Sequence, residues 1–252
     1  MKNPKISVIM SVYNDESTLE NAINSILKQS YQNFEFIIIN DGSMDNSKKI
    51  INSKKSKKIK FYSYSNNRGL AARLNFAISK SSGSYIARMD ADDISHKNRL
   101  QVQLNFFKQN PNFDVVGSNA IYRNENNKLI KKTNLILNEK IIKQLILFRN
   151  PFIHSTLMIK KNFFKTNLYN KKFMRCQDYE LWIRSIEKFK FTNMRAYLVT
   201  RMEKNNFSLR SLYFSILARF YHCKLGNVLA IVLFSMIEIL YFYKEQLKKI
   251  FS

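Results

Sequence analysis

The sequence predicts an α/β protein in which helices flank a mostly parallel central sheet. In the N-terminal half, short β-branched apolar runs alternate with segments whose apolar residues recur every three or four positions. This alternation is typical of βαβ units, whose strands run parallel. Each apolar run also stops at a polar cluster, and in such sheets ligands bind beyond the carboxyl ends of the strands. We therefore expect a binding site at that edge of the sheet.

Four apolar runs are predicted to be strands: residues 6–12, 34–39, 59–64 and 84–88. After the first run, apolar residues at 19, 22, 23, 26 and 27 predict an amphipathic helix, and Ser17 with Glu20 has the spacing of a capping box at its start. A second helix is predicted over the segment that contains Leu70, Leu74 and Ala77. The polar residues expected at the sheet edge are Tyr13, Asn14, Asp41, Asn67 and Asp90 to Asp93.

Three carboxylates stand within four residues at Asp90, Asp92 and Asp93, directly after the fourth predicted strand. Aspartates at i and i+2 can each offer a hard oxygen to one Mg²⁺ or Mn²⁺ ion, which in turn binds a substrate diphosphate. This pattern favours a metal site for a phosphorylated substrate. An acidic turn that caps a helix beginning near Ser95 would also explain the cluster, because carboxylates satisfy free N–H groups at a helix N-terminus.

Taken together, the motifs resemble the family 2 glycosyltransferases of the GT-A fold, and their order and spacing match over about the first 110 residues. Two further segments, 150–158 and 177–184, extend the resemblance to bacterial members that build surface polysaccharides. The resemblance divides the chain into a nucleotide-sugar-binding half at 1–110, an acceptor-binding half at 111–205 and C-terminal amphipathic or hydrophobic helices at 206–252. The N-terminal motifs are Val12-Tyr13-Asn14, Asn40-Asp41-Gly42-Ser43, Asn67-Arg68-Gly69-Leu70 and Met89-Asp90-Ala91-Asp92-Asp93.

The resemblance implies a role for each residue at the donor end. Tyr13 and Asn14 would line the nucleotide pocket with Asn67, and Asp41 would accept a hydrogen bond from the uracil ring. Asp90 would contact the ribose or the metal. In the same scheme, the metal ligand that bridges to the diphosphate is Asp92.

At the acceptor end, the resemblance makes Asp178 the general base, although Gln177 stands where Glu is usual. Ser155 replaces the usual Pro after His154. Glu203 stands where relatives often have a His that helps to hold the metal, which leaves the third metal ligand undecided.

The chemistry independently requires a base on one face of the sugar and a positive charge near the leaving group on the other. Asp178 fits the base, although it could also cap the helix that it begins. We assign His154, Glu180 and Trp182 to the acceptor site. His154 could equally be a hydrogen-bonded loop or core residue, and Trp182 could pack in the core instead of stacking on a sugar ring.

Composition limits the cellular setting. A chain of 252 residues can form one large domain with a proper core. Its two cysteines, Cys176 and Cys223, lack metal-type spacing and suggest a reducing compartment. The N-terminal apolar run is too short for a signal peptide, which predicts a cytoplasmic location for the catalytic part.

The net charge of +24 requires an anionic partner or a solvated basic surface. Residues 48–60 contain seven lysines and no aromatic residue, so they lack the stacking platforms of a nucleic-acid site, and no nucleic-acid partner is expected.

From Ser208 the sequence reads as helix, and the stretch 225–243 has Glu238 as its only charge. We favour a helix lying in the plane of an anionic membrane over one that spans it, while a buried core helix or a dimer contact would also fit.

The sequence therefore predicts an inverting, metal-dependent hexosyltransferase. Its donor would be a nucleotide sugar, UDP-linked, and its cofactor Mn²⁺ or Mg²⁺. Its acceptor would be a saccharide of the lipid-linked, lipooligosaccharide or capsule type, met at the cytoplasmic face of a bacterial inner membrane by a peripheral or monotopic enzyme. A nucleotidyltransferase on a related sheet would require a Gly-rich phosphate loop after the first strand, and this chain has none there. A basic membrane- or nucleic-acid-binding module would not need carboxylates at the sheet edge.

Overall fold

The computed structural model describes residues 3–124, 126–203, 208–222 and 228–250. At residue 230 and residues 241–250 it describes the backbone only. The strands are β1 (Ile6–Val12), β2 (Phe34–Asp41), β3 (Ile59–Tyr64), β4 (Tyr85–Arg88), β5 (Ile94–Ser95), β6 (Val115–Arg123), β7 (Leu129–Lys132), β8 (Met158–Lys160) and β9 (Phe191–Met202). The helices are α1 (Glu16–Leu27), α2 (Ser47–Ser53), α3 (Leu70–Lys80), α4 (Arg99–Gln109), α5 (Glu139–Leu145), α6 (Gln177–Ser185), α7 (Leu209–Tyr221) and α8 (Val228–Ile250). Short 3₁₀ turns cover His154–Thr156 and Lys161–Lys165.

Within the described ranges, the strands form one sheet in the order β3-β2-β1-β4-β8-β6-β9-β5, and β7 pairs with β6 off this path. The four N-terminal strands pair in parallel, as predicted. Beyond residue 110, β6 and β9 pair in parallel, whereas β8 pairs antiparallel with both β4 and β6. The α/β prediction is confirmed, and its parallel part is the N-terminal half. The boundaries predicted at 110 and 205 stay predictions.

Both faces of the sheet are buried, which explains the nearly continuous apolar runs of the central strands. In β1, Val8 and Met10 pack on the face covered by α1 and α4, while Ile9 points to the face covered by α3 and α6. This alternation follows from the two-residue period of a strand. The carboxyl ends of β1, β2 and β4 consequently meet at one edge of a rigid layer.

Two predicted helix starts are wrong. The α1 helix begins at Glu16 with Asp15 as its N-cap, so Ser17 lies inside the helix and Glu20 instead pairs with Lys54. The predicted helix near Ser95 begins only at Arg99, because residues 94–95 form the short strand β5 against β9. Both errors come from helix-end signals that tertiary pairing overrides.

The C-terminal helices pack on α6, first α7 and then α8 on α7. Arg219 of α7 is buried and pairs with Glu238 of α8, with 2.6 Å between Nη1 and Oε2. This pair explains the one charge in the apolar stretch. Among the described residues, no helix combines the length and the apolar character needed to cross a lipid bilayer.

Candidate active site

A cavity of about 1090 Å³ opens beyond the carboxyl ends of β1 and β4. Tyr13, Asn67 and Asp90 line it together with a smaller cavity of about 280 Å³, whereas Asp178 and His154 line the large cavity alone. We refer to the part shared with the smaller cavity as the donor end and to the part around Asp178 and His154 as the acceptor end. The fold thus brings residues from across the sequence to one site.

The polar residues after β1 divide into two kinds. Tyr13 is 43% exposed and lines both cavities. Asn14 lines neither cavity and adopts the left-handed conformation with φ of 55°. Its Oδ1 accepts from the Met44 amide at 2.9 Å, and its own amide donates to Ser43 Oγ at 3.1 Å. Asn14 therefore fixes the turn after β2, and its contact with a nucleotide stays a prediction.

Asp41, at the end of β2, is buried and organises the neighbouring loop. Its carboxylate accepts from the backbone amides of Arg68 and Gly69, each at 2.9 Å, and pairs with Arg73. The loop contributes Asn67 to both cavities. Gly69, with φ of 84°, is the N-cap residue that precedes α3. Asp41 also lines the smaller cavity, so the predicted contact with uracil stays open beside this structural role.

The three aspartates after β4 converge at the donor end. Oxygens of Asp90, Asp92 and Asp93 lie within 4.8 Å of one another. The N-cap of α4 is Asn98, so the cluster does not cap that helix. Hard carboxylate oxygens at this spacing fit Mg²⁺ or Mn²⁺, as the sequence predicts. Glu203 does not belong to this cluster, and its Oε1 lies 2.8 Å from Lys131 Nζ, so the third metal ligand stays undecided.

Two arginines neutralise this cluster. Arg88 pairs with Asp90, while Arg201 Nε lies 3.1 Å from Asp93 Oδ2 and Arg201 Nη2 lies 3.8 Å from Asp90 Oδ2. Burial opposes ionisation of Asp90, but Arg88 and Arg201 outweigh it and hold its pKa below the ordinary value. Burial, reinforced by Asp90 and Asp92, raises the pKa of Asp93 to about 7 against the pull of Arg201.

Asp178 lies in the first turn of α6, half-buried at the acceptor end. Its Oδ2 accepts from Asn150 Nδ2 at 2.9 Å, and Asn150 Oδ1 accepts from the Phe152 amide at 3.1 Å. The second bond determines which end of the Asn150 amide faces Asp178. The N-cap of α6 is Cys176, so the carboxylate is not used as the helix cap. It faces the cavity, where a general base must lie.

His154 lines the acceptor end beside Asp178. Its Nε2 lies 2.8 Å from the hydroxyl of Tyr169. Burial, with the positive charge of Arg88 nearby, lowers the pKa of His154 to about 4. The imidazole is therefore neutral near pH 7 and can offer a hydrogen bond to an uncharged hydroxyl, so its predicted acceptor contact stays open.

Two predicted acceptor residues are placed elsewhere. Trp182 is fully buried and packs among Phe152, Phe163 and Phe191, so it cannot stack on a sugar. Glu180 is 1% exposed and lines neither cavity. Its carboxylate pairs with Arg184 and His222, each at 2.9 Å. Both predictions are wrong because α6 presents these positions to the core and to α7, while Asp178 occupies the face toward the cavity.

The sequence reasoning missed Arg88, Asn150 and Arg201. Arg88 ends an apolar strand and Arg201 lies near the end of β9, and the sequence does not show that both pair with the aspartates. Asn150 belongs to a motif that was noted without a role for its side chain. A basic residue inside an otherwise buried strand was the available signal, because buried charges are paired.

Comparisons with known proteins show the family of this chain. Residues 7–168 match the family model of glycosyl transferase family 2. The chain is 34% identical over 221 residues to the putative glycosyltransferase EpsE of Bacillus subtilis, covering 84% of this chain and 78% of that protein. It is 36% identical over 187 residues to the O-antigen biosynthesis glycosyltransferase WbnJ of Escherichia coli, covering 73% and 72%.

Two solved structures share the fold. Residues 1–349 of TarS from S. aureus, in complex with UDP-GlcNAc, match with a TM-score of 0.70 at 17% identity, over 85% of this chain and 65% of that one. The mannosyltransferase PcManGT from Pyrobaculum calidifontis, in complex with GDP-Man and Mn²⁺, matches with a TM-score of 0.66 at 13% identity, over 89% and 66%. The fold is therefore GT-A, and the family match defines a glycosyltransferase. The chain belongs to glycosyl transferase family 2.

Proposed function

We propose that the protein is an inverting, metal-dependent hexosyltransferase that uses a UDP-linked sugar and a lipid-linked, lipooligosaccharide or capsule acceptor. One observation supports this above the others: Asp90 of the aspartate cluster and the carboxylate of Asp178 line one cavity, and Asp92 lines the smaller cavity that continues from it. Inverting transfer requires a base and a stabilised leaving group within one site, because they act on opposite faces of the sugar.

In the proposed reaction, Asp178 removes the proton of an acceptor hydroxyl as that oxygen attacks the anomeric carbon. The bond from this carbon to the diphosphate breaks, and the nucleoside diphosphate leaves with the electron pair. A divalent cation held by Asp90 and Asp92 would supply positive charge to the leaving diphosphate. Arg201 holds Asp90 and Asp93 in place at the same end, and Asn150 keeps the carboxylate of Asp178 turned toward the cavity.

Titration calorimetry tests the donor assignment. We expect UDP to bind in the presence of Mn²⁺ and to bind at least about tenfold more weakly without it, since the diphosphate shares the cation. GDP is the matched nucleotide control. Asp92→Asn should remove the effect of Mn²⁺, and Asp45→Asn, in a surface turn away from both cavities, should leave it unchanged. Equal UDP affinity with and without Mn²⁺ in the wild type would overturn the metal-dependent assignment.

The protein is also proposed to bind the anionic cytoplasmic surface of a membrane peripherally. One face of α8 is apolar and exposed, through Leu229, Leu233, Met236, Ile237 and Leu240. Their spacing follows the helical period, which gives a continuous stripe. The sequence continues with Lys244, Lys248 and Lys249, and the net charge is +24. An apolar stripe next to basic residues is complementary to an anionic lipid surface.

Vesicle co-sedimentation tests this membrane surface. We expect binding to phosphatidylglycerol vesicles that weakens at high salt and in the Leu233→Glu, Leu240→Glu variant. The matched control is Met44→Glu, because Met44 is an apolar residue outside α8 that is 86% exposed. Deleting residues 225–252 should also release the protein, but it leaves buried Arg219 without Glu238, so the substitutions are the cleaner test. A wild-type protein that stays unbound at low salt contradicts the proposal.

A further inference from the structure

The acceptor end of the cavity has basic residues that the transfer reaction does not use. Two arginines line it, Arg175 just before α6 and Arg210 in the first turn of α7. We propose that the acceptor carries a phosphate or diphosphate group and that Arg175 and Arg210 bind it beside Asp178. This inference rests on the proposed function and names the chemical class of the acceptor.

Both arginines are available to a ligand. Each is exposed, and neither side chain makes a hydrogen bond or an ion pair with any part of the chain that the structure describes. Guanidinium groups suit phosphate because their fork of N–H donors can bind two oxygens at once. Two unpaired guanidinium groups on one cavity wall therefore form a site for a multiply charged anion.

The other basic residues of the cavity are already engaged. Lys131 lies 2.8 Å from Glu203 and over the ring of Tyr122, and Arg201 is held by Asp93. Their positive charge is largely neutralised by these partners. Among the described residues that line the cavity, the arginine and lysine side chains without an ionic partner are therefore Arg175 and Arg210, at the acceptor end.

The packing brings the two arginines together. They stand on segments that contact each other through the rings of Phe173 and Phe214, with centroids 6.0 Å apart, and through Cys176 Sγ, which lies 3.5 Å from the Ser211 carbonyl oxygen. Asp178 follows Cys176 by two residues. An anion bound at this junction would hold the attached saccharide within reach of the candidate base.

Exposed apolar side chains stand on the same two segments as these arginines. Met174 is 74% exposed beside Arg175, and Leu209 and Tyr213 of α7 are 59% and 61% exposed. A phosphate bound between arginines with apolar side chains beyond it fits the junction between a diphosphate and a lipid. A water-soluble sugar phosphate would share the anion contacts and leave the apolar side chains uncovered, so the two sources can be separated by experiment.

The test uses the full-length protein saturated with UDP and Mn²⁺, so that the donor end cannot take the probe. Geranyl diphosphate, inorganic pyrophosphate and uncharged geraniol are then titrated by calorimetry. We expect geranyl diphosphate to bind, and the Arg175→Gln, Arg210→Gln double variant to bind it at least about tenfold more weakly, as the loss of charge-assisted hydrogen bonds implies. Arg195→Gln, at an exposed arginine of β9 outside the cavity, is the matched control and should change nothing.

The outcomes separate the possibilities. Pyrophosphate that binds as tightly as geranyl diphosphate assigns the site to the anion alone, whereas a clear preference for geranyl diphosphate assigns it to a lipid-linked acceptor. Equal binding of geraniol, no binding of either anion, or equal affinity in the double variant and the wild type overturns the inference. UDP affinity, measured on the same variants before the probe is added, should match the wild type. Absence of UDP binding in the wild type would instead contradict the donor assignment.

Discussion

The two ends of the cavity hold their carboxylates differently. At the donor end, Asp41 is tied to Arg73 and to two backbone amides, and Asp90 and Asp93 are tied to Arg88 and Arg201. At the acceptor end, the described partner of Asp178 is the single amide of Asn150. The donor end is thus a fixed frame of paired charges, which suits the binding of a constant group such as a nucleotide.

The acceptor end holds its carboxylate by one neutral donor. A base that was locked in an ion pair would resist protonation, whereas one amide donor orients Asp178 without neutralising it. We therefore expect stability and catalysis to depend on different ends of the cavity. Substitutions at the donor end should mainly affect folding and nucleotide binding, and those at the acceptor end should mainly affect turnover.

The largest effect is expected for Asp41→Ala. The change removes the acceptor of Arg73 Nε and of the Arg68 amide, whereas the Gly69 amide keeps Asn67 Oδ1 and Arg73 Nη2 keeps the Asn66 carbonyl oxygen. Breaking this buried ion pair should lower the free energy of unfolding by about 3 to 5 kcal/mol. UDP binding should weaken by about 1 to 3 kcal/mol in whatever folded protein remains. Chemical denaturation measures the first effect.

The control is Glu20→Ala, which removes an exposed pair with Lys54 and should cost below about 1 kcal/mol. Equal losses in both variants would show that the donor end is not a rigid frame.

Next in size is the effect of Asp178→Asn on turnover. It keeps the shape of the side chain but removes the base, so transfer should fall by at least about 10²-fold while UDP affinity stays within about threefold. Steady-state kinetics with calorimetry measures both.

Glu180→Gln, on the same helix, is the matched comparison. Glu180 is buried in pairs with Arg184 and His222, so its loss should lower the melting temperature and leave the turnover of the folded enzyme nearly unchanged. If Glu180→Gln is inactive when folded and Asp178→Asn is active, the base has been assigned to the wrong residue.

The donor end could largely be predicted from the sequence. Parallel βαβ units deliver strand ends to one edge in chain order, so Tyr13, Asp41, Asn67 and Asp90 had to lie together once the alternation was recognised. What the sequence could not provide is how the charges pair. Arg201 reaches the aspartates from β9, more than a hundred residues away, and only the pairing of β5 with β9 places it there.

The acceptor end was harder to predict for a related reason. Asp178, Glu180 and Trp182 lie within five residues on one helix, and the sequence cannot tell which face of α6 meets the cavity. That choice depends on the packing of α7 and on the aromatic cluster around Trp182, which are contacts between distant segments. The capping-box signal at Ser17 failed in the same way, because the side chains of Ser47 and Asp45 satisfy the amides of Asp15 and Glu16 at the start of α1.

A smaller effect, on the pH dependence of stability, is expected for His154. Burial and Arg88 lower its pKa to about 4 in the folded protein, against about 6.5 for an ordinary histidine. The unfolded chain therefore takes up a proton first, so His154 contributes stability above about pH 6.5 that is lost as the pH falls toward 4. His154→Gln can keep a hydrogen bond to Tyr169 without this titration. Melting temperatures of the two proteins should converge between pH 6.5 and 4, and parallel curves would show that His154 is not buried as described.

The smallest expected effect is that of Asn150→Ala, which removes the donor that orients Asp178. Turnover should fall by about five- to tenfold, which corresponds to the ~1 kcal/mol net value of one hydrogen bond, without a change in UDP affinity. The control is Asn138→Ala, which removes an asparagine that caps α5 by accepting hydrogen bonds from two backbone amides. It should lower stability by about 1 kcal/mol without affecting turnover.

A double-substitution cycle then separates positioning from general damage. If Asn150 acts through Asp178, its removal should cost nothing more in the Asp178→Asn background, so the two effects on turnover will not add. Additive losses would mean that Asn150 serves the reaction independently of the base. The acceptor end would then also be a frame with several fixed contacts, and its contrast with the donor end would disappear.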